Sequence, residues 1–402
     1  MARVVVVGGG PGGVLLTYLL ARGGVEVTLL EGRHDFARRF RGDTLAPGVL
    51  EYLDDLGLAH DLLAEVPHTR SDAFRWHAPE RTYRLVDYRG ASKRFPYYAL
   101  LPQARFLPWL ADRAREHGAT VLMGARFSDL LPDEDGRVRG VRYTVDGQPH
   151  ELDADLVVGA DGRSSKVRSA AGIEATELGA SLDLLWVAVD QHPDDPASSG
   201  LDLFARPGGT IALLDQGTGQ WQVGWSIPAG TFASVREAGV EPLIDALASV
   251  LPWLAERVRA VVTGPNDLTL LPVRITTVDT WSKAGVVLLG DAAHVMSPVG
   301  GNGINLALAD AAELANLVVG NGDPAELEAR RRPAVEAEQR RQVRTEQAAA
   351  ARNAAGDTGP PTVLRVLASI PGFSTLAARR SRVPMPAPEP AIAGARPSVA
   401  AD

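Results

Sequence analysis

Residues 3 to 31 run through an apolar stretch (Arg3 to Val7), a loop of five glycines and a proline (Gly8-Gly9-Gly10-Pro11-Gly12-Gly13), a helical stretch (Val14 to Arg22) and a second apolar run (Val25 to Leu30) that closes on Glu31. Few folds accept this order. A valine-rich run without polar alternation reads as a strand buried on both faces. Two such runs joined through one helix within about 30 residues make a βαβ unit, and so a parallel sheet. The loop fits Gly-x-Gly-x-x-Gly on Gly8, Gly10 and Gly13. Gly8 permits the tight turn, Gly10 lets the backbone approach a pyrophosphate, and Gly13 lets helix and strand pack closely. The helix start opens on Pro11 and, from Gly12 onward, offers free N–H groups and a positive dipole end to phosphates. Glu31, eighteen residues after Gly13, is placed to accept hydrogen bonds from an adenosine ribose. The unit predicts a bound dinucleotide but does not separate NAD from FAD.

The chain's 402 residues allow two to three domains. A net charge of −8 argues against a nucleic-acid partner. The absence of cysteine excludes disulfides, thiolate catalysis and cysteine-ligated metal clusters. The eight histidines are scattered without metal-ligand spacing, so no metal site is expected. No signal peptide and no run of about 18 apolar residues is present, which predicts a cytoplasmic protein without a transmembrane segment, as monomer or homodimer.

Residues 1–72, 97–175 and 270–350 are expected to form a discontinuous nucleotide-binding domain. The alternating, aromatic-containing segments 73–96 and 176–269 are expected to form a second, β-rich domain. Pro324 to Ala351 reads as a long polar helix, and 351–383 as a helical segment. Residues 384–402, with five prolines, read as a disordered tail.

Two later motifs narrow the cofactor. A buried strand, Asp155 to Ala160, ends in Asp161-Gly162 and continues through Arg163 to Arg168. Another, Val286 to Leu289, ends in Gly290-Asp291-Ala292-Ala293-His294, followed by Pro298 and Gly300-Gly301-Asn302-Gly303-Ile304-Asn305. A second glycine-rich loop between strand and helix indicates a dinucleotide with a redox-active ring whose electronics the protein sets. With the fingerprint, these motifs span residues 4 to 319, and the chain resembles the class A flavoprotein monooxygenases, the para-hydroxybenzoate hydroxylase-like group.

The resemblance implies an α/β fold: a Rossmann-like FAD-binding domain of the para-hydroxybenzoate hydroxylase type with an inserted β-rich (α+β) substrate domain. It implies FAD as cofactor and NADH or NADPH as a transient reductant without a domain of its own. By resemblance, Asp161 holds the FAD pyrophosphate region and Arg168 is a structural or nucleotide-facing partner. Asp291 accepts a hydrogen bond from the ribityl chain, and Pro298 sits beside the isoalloxazine. Gly301, Asn302, Gly303, Ile304 and Asn305 bring backbone N–H groups and a helix N-terminus to the flavin pyrimidine edge, where reduced flavin is anionic. In the loop after the second strand, Arg41 is assigned to FAD and Arg39 to the nicotinamide nucleotide. Gln103, with Arg105 as the neighbouring alternative, lies against the flavin.

The implied reaction is reduction of FAD by NAD(P)H, formation of a flavin C4a-hydroperoxide with O₂, and hydroxylation or epoxidation of a small aromatic, olefinic or polyketide-like substrate. No catalytic acid or base is assigned; His294 reads as a base or as a packing residue. Trp221, Val223 and Trp225 share one strand face, and with Trp186 they are candidates either for the substrate pocket or for the core. A flavin dehydrogenase or reductase, a halogenase and a non-catalytic binder stay open. Val223 breaks the halogenase Trp-x-Trp-x-Ile-Pro pattern, and none of Lys93, Lys166 and Lys283 matches its catalytic lysine.

Overall fold

The valine run of the first strand, Arg3–Val7, is buried, with strands flanking it on both edges. Val5 pairs in parallel with Thr28 on one side and with Val157 on the other. The computed structural model describes residues 2–37, 44–179, 181–206, 209–298, 301–354, 356, 366–368, 370, 372–380 and 382–394. The central sheet runs Ser282–Lys283, Val286–Leu288, Leu156–Gly159, Arg3–Val7, Glu26–Glu31, Thr120–Met123, parallel apart from the first, edge strand. The chain leaves Arg3–Val7 toward one edge and later returns on its other side. That reversal makes a crevice at the carboxyl ends of the strands, the usual ligand position in such sheets. The helices Pro11–Arg22 and Asn302–Val319 pack on each other over this sheet.

A second, seven-stranded sheet runs Thr269–Pro272, Leu182–Asp190, Gln220–Pro228, Gly209–Asp215, Leu201–Arg206, Ala73–His77, Thr82–Asp87. The excursion at 73–87 thus joins strands more than a hundred residues away, with Leu203 beside Trp76 in a parallel pair. One face is covered by the helices Phe232–Ala238, Glu241–Ala248 and Pro252–Val261, which build a separate core on Leu185, Ile211, Trp225 and Leu254. Trp225 is 1% exposed, and its Nε1 donates to the Leu243 carbonyl at 3.0 Å. Trp225→Ala is expected to cost about 3–5 kcal/mol in denaturant unfolding, the range for deleting a buried large aromatic. A loss under about 1 kcal/mol would contradict this packing.

The proline-rich segment expected as a disordered tail over 384–402 is described as far as residue 394. Residues 382–394 lie against the nucleotide-binding domain, and Val383 and Ile392 enter its core. Arg22 donates to the Ala393 carbonyl at 2.7 Å and Asn316 to the Ala387 carbonyl at 2.8 Å. Prolines already restrict the unfolded segment, so ordering it costs little entropy, and one buried isoleucine anchors it. Residues 395–402 lie outside the described residues.

Candidate active site

The three motifs meet at the crevice through glycines. Gly8 has φ +109°, and a Cβ there would lie 2.5 Å from the Ala160 carbonyl oxygen. A Cβ on Gly13 would lie 2.0 Å from the Gly8 oxygen, and one on Gly12 would lie 2.7 Å from Leu289 and 3.0 Å from the Ala307 oxygen. The fingerprint loop therefore packs directly on the strand ends that precede Asp161 and Gly290. Gly10 is the N-cap of the helix Pro11–Arg22 and makes no side-chain cap hydrogen bond, so among the described residues the first-turn N–H groups have no capping side chain. Glu31 ends its strand with Oε2 accepting from Gly9 N at 2.8 Å and Oε1 from Arg33 N at 2.9 Å.

Asp161 is held within its own turn. Its carboxylate accepts from Ser165 Oγ at 2.5 Å, Lys166 N at 2.7 Å and Val167 N at 3.1 Å, closing the start of the helix Lys166–Ala170. Those donors leave the side chain engaged within its own turn, a helix-capping use. From the same turn, Arg163 Nε lies 3.4 Å from Asp291 Oδ2, and Arg168 donates to the Ala292 carbonyl at 3.0 Å. Arg168 is thus a structural clamp between the second and third motifs. Asp291 keeps 35% of its side chain exposed, enough to accept from a further donor.

His294 is structural. It is buried, its Nε2 lies 2.6 Å from Asp310 Oδ2, and its ring packs on Trp281 at 4.9 Å between centroids. Asp310, also buried, receives Arg331 Nε at 2.9 Å and Gly290 N at 3.2 Å. Burial alone would raise the Asp310 pKa, but His294 and Arg331 outweigh it and hold the carboxyl below its usual range. This carboxylate fixes Gly290, which has φ +57°, and so aims Asp291.

Gly301, φ +67°, is the N-cap of the helix Asn302–Val319 and accommodates Thr44, whose Oγ1 a Cβ would approach to 3.3 Å. The Asn305 side chain accepts from Ala46 N and donates to the Thr44 and Gly301 carbonyls, stapling strand Thr44–Leu45 to the helix start. Asn302 donates to Glu338 at 3.0 Å, while Gly303 and Ile304 lie in the first turn. Pro298 ends the preceding described stretch. Gln103 is buried at the start of the helix Gln103–Glu116. Arg39 and Arg41 lie outside the described residues.

Sequence reasoning missed the inner face of the helix Glu326–Ala354. Arg331, Gln339, Gln342 and Glu346 recur at helical spacing and are all buried. Gln339 donates to the Thr276 and Val295 carbonyls, and Gln342 accepts from Ser297 N at 2.9 Å. Glu346 is reached by Ser297 and the Ser181 backbone, and burial pushes its carboxyl up. Leu327 and Val335 are buried on this helix but are too few to make an apolar stripe; the 331, 339, 342, 346 spacing was the available signal.

The tryptophans divide. Trp225 lies in the helix-covered core. So does Trp221, whose Nε1 donates to Asp195 at 2.7 Å and whose ring meets Trp253 edge-on. Trp186 is on the opposite face of the sheet, over Gly224.

The FAD binding domain family matches residues 1–340. The chain belongs to the class A FAD-dependent monooxygenases. This FAD-dependent monooxygenase is 34% identical over 310 residues to the 6-methylpretetramide 4-monooxygenase of Streptomyces rimosus, covering 77% of this chain and 73% of that protein. It is 28% identical over 320 residues to digeranylgeranylglycerophospholipid reductase 2 of Methanopyrus kandleri, covering 76% and 74% of the two chains. Its fold matches the crystal structure of PqsL from Pseudomonas aeruginosa with a TM-score of 0.73 at 24% identity, over 88% of this chain and 98% of the other. It is an oxidoreductase with a mixed α/β fold: a Rossmann-like parallel sheet plus antiparallel sheets. No described helix is long and apolar enough to cross a membrane.

Proposed function

We propose that this monooxygenase uses NADH or NADPH and O₂ to hydroxylate or epoxidise a small aromatic or polyketide-like substrate. The observation that carries the reading is the convergence of the three motifs on one crevice, with Asp291 aimed by a buried carboxylate and half-open to a ligand. The 6-methylpretetramide monooxygenase among its relatives supports the polyketide class. The residues present fit FAD: a glycine cradle that a Cβ would fill, an uncapped helix start, and two carboxylates at opposite ends. In this reading the first-turn amides after Gly10 take the pyrophosphate, Glu31 the ribose and Asp291 the ribityl hydroxyls. The Asn302–Ile304 amides take the pyrimidine edge, where a helix N-terminus stabilises negative charge. Arg41 is proposed for FAD and Arg39 for the nicotinamide nucleotide. Bound FAD supplies the hydride-accepting and O₂-activating ring; the chain's own task is to orient it and exclude water.

A reductase is the second reading, favoured by the Methanopyrus relative. Two results are expected from the purified protein. It is yellow, and substrate accelerates its NAD(P)H oxidation. Asp291→Ala is expected to weaken FAD binding about tenfold to a hundredfold, the value of hydrogen bonds to a charged acceptor. Unchanged FAD affinity in that variant would contradict the role given to Asp291.

A further inference from the structure

Resting on the monooxygenase reading, we propose that Trp76 and Trp186 wall the substrate pocket, and that Trp76 Nε1–H donates to an oxygen of a planar fused-ring substrate. The seven-stranded sheet sets these residues in one transverse row. Tyr83 pairs with Trp76, Trp76 with Leu203, Leu203 with Ala212, Ala212 with Gly224, Gly224 with Trp186, and Trp186 with Thr269. Register partners stand on the same face. The neighbouring row, His77, Phe204, Ile211, Trp225 and Leu185, faces the helices; His77 stacks on Phe204 at 4.5 Å, and the others pack in or against the helix-covered core. The Trp76 row therefore occupies the opposite face. Trp76, Leu203, Ala212 and Trp186 belong to neither hydrophobic core.

The row has the form of a trough. Its floor is Ala212, whose side chain is the shortest left uncovered between the two indoles. A Cβ on Gly224 would lie 2.7 Å from the Trp186 ring, so that indole lies over the glycine. Four strand steps of about 4.8 Å separate the two tryptophan backbones; Leu203 stands beside Trp76 and the Trp186 indole covers Gly224, which leaves the position above Ala212 for a flat ring. Leu184, Leu201 and Leu214, all half-buried, flank the row on the same face. The nearby Ser226 hydroxyl is engaged with Thr210, and the Gln222 amide with Gln216. Trp76 Nε1 is different: it is buried and has no hydrogen-bond partner among the described residues. A buried donor left unsatisfied is costly, and a ligand oxygen at that end of the trough would satisfy it. Aromatic walls, an apolar floor and one convergent donor select a flat substrate that carries a carbonyl or phenolic oxygen.

The test uses the FAD-loaded enzyme and measures equilibrium binding of two three-ring probes, alizarin (a dihydroxyanthraquinone) and anthracene, which has no oxygen. Trp76→Phe keeps an aromatic wall and removes the N–H. It is expected to weaken alizarin about three- to tenfold, the worth of one hydrogen bond, and to leave anthracene unchanged. Ala212→Trp, which fills the floor, is expected to abolish binding of both while FAD stays bound. The proposal is overturned if the wild-type enzyme binds neither probe, if Trp76→Phe binds alizarin as tightly as wild type, or if it loses both probes equally. Loss of FAD from the wild-type protein would instead overturn the flavin reading beneath it.

Discussion

Gly13→Ala is expected to lower FAD affinity by about one to two orders of magnitude, because the added Cβ would fall 2.0 Å from the Gly8 carbonyl oxygen. Neither atom can yield cheaply. Gly8 is held by its N–H on the Leu30 carbonyl at 2.8 Å and by its fit against Ala160. Gly13 is in the first turn of the helix whose N–H groups face the crevice. Relief requires the helix start to move away from the strand ends, which pulls the phosphate-binding amides out of place. The strain is local, so the helical core survives and the defect reads out as lost flavin before lost fold. Gly264→Ala is the control: φ is −162° and no atom lies within 4 Å of the new Cβ, so FAD binding and stability should match wild type. Wild-type FAD affinity in Gly13→Ala would show that the loop does not grip the pyrophosphate in the way described.

Asp310→Asn is expected to cost about 3–5 kcal/mol of stability, the range for removing one partner of a buried ion pair. Arg331 would be left buried with its charge uncompensated, and Gly290 and His294 would lose a charged acceptor. The pH dependence carries a sign. The folded pKa of Asp310 is depressed, so its contribution is complete above the ordinary carboxylate value of about 4 and is lost as pH falls through the folded value. Wild type should therefore lose, on acidification below that value, a component of stability that Asp310→Asn lacks at every pH. Denaturant unfolding of both proteins between neutral and acid pH measures this. Parallel stability profiles would contradict it. Because Asp310 also fixes Gly290, the variant should release FAD more readily even where it remains folded.

The flavin-binding half of this molecule was legible because its constraints are local and backbone-based. A glycine that meets a carbonyl at 2.0 Å admits no other residue, so Gly8, Gly12 and Gly13 write their geometry into the sequence. The valine runs did the same for the parallel strands, which are buried on both faces. Side-chain roles set by distant partners were less visible. Asp161 looks like a ligand residue by motif, yet Ser165, Lys166 and Val167 take its oxygens. His294 looks like a base and is a buried partner of Asp310, sixteen residues on. Period two placed Trp221 and Trp225 on one face but could not say which face the helices cover. Only the pairing of Leu203 with Trp76, across more than a hundred residues, shows that the excursion at 73–87 extends the opposite face.

The most direct measurement supplies isotopically heavy dioxygen to the FAD-loaded enzyme with NADH or NADPH and a planar phenolic polyketide. The account predicts a product carrying one heavy oxygen atom, the second in water, and one NAD(P)H oxidised per product. Product formed with no heavy oxygen, at the same consumption of NAD(P)H, would contradict it and would make the chain a flavin reductase built on a monooxygenase scaffold.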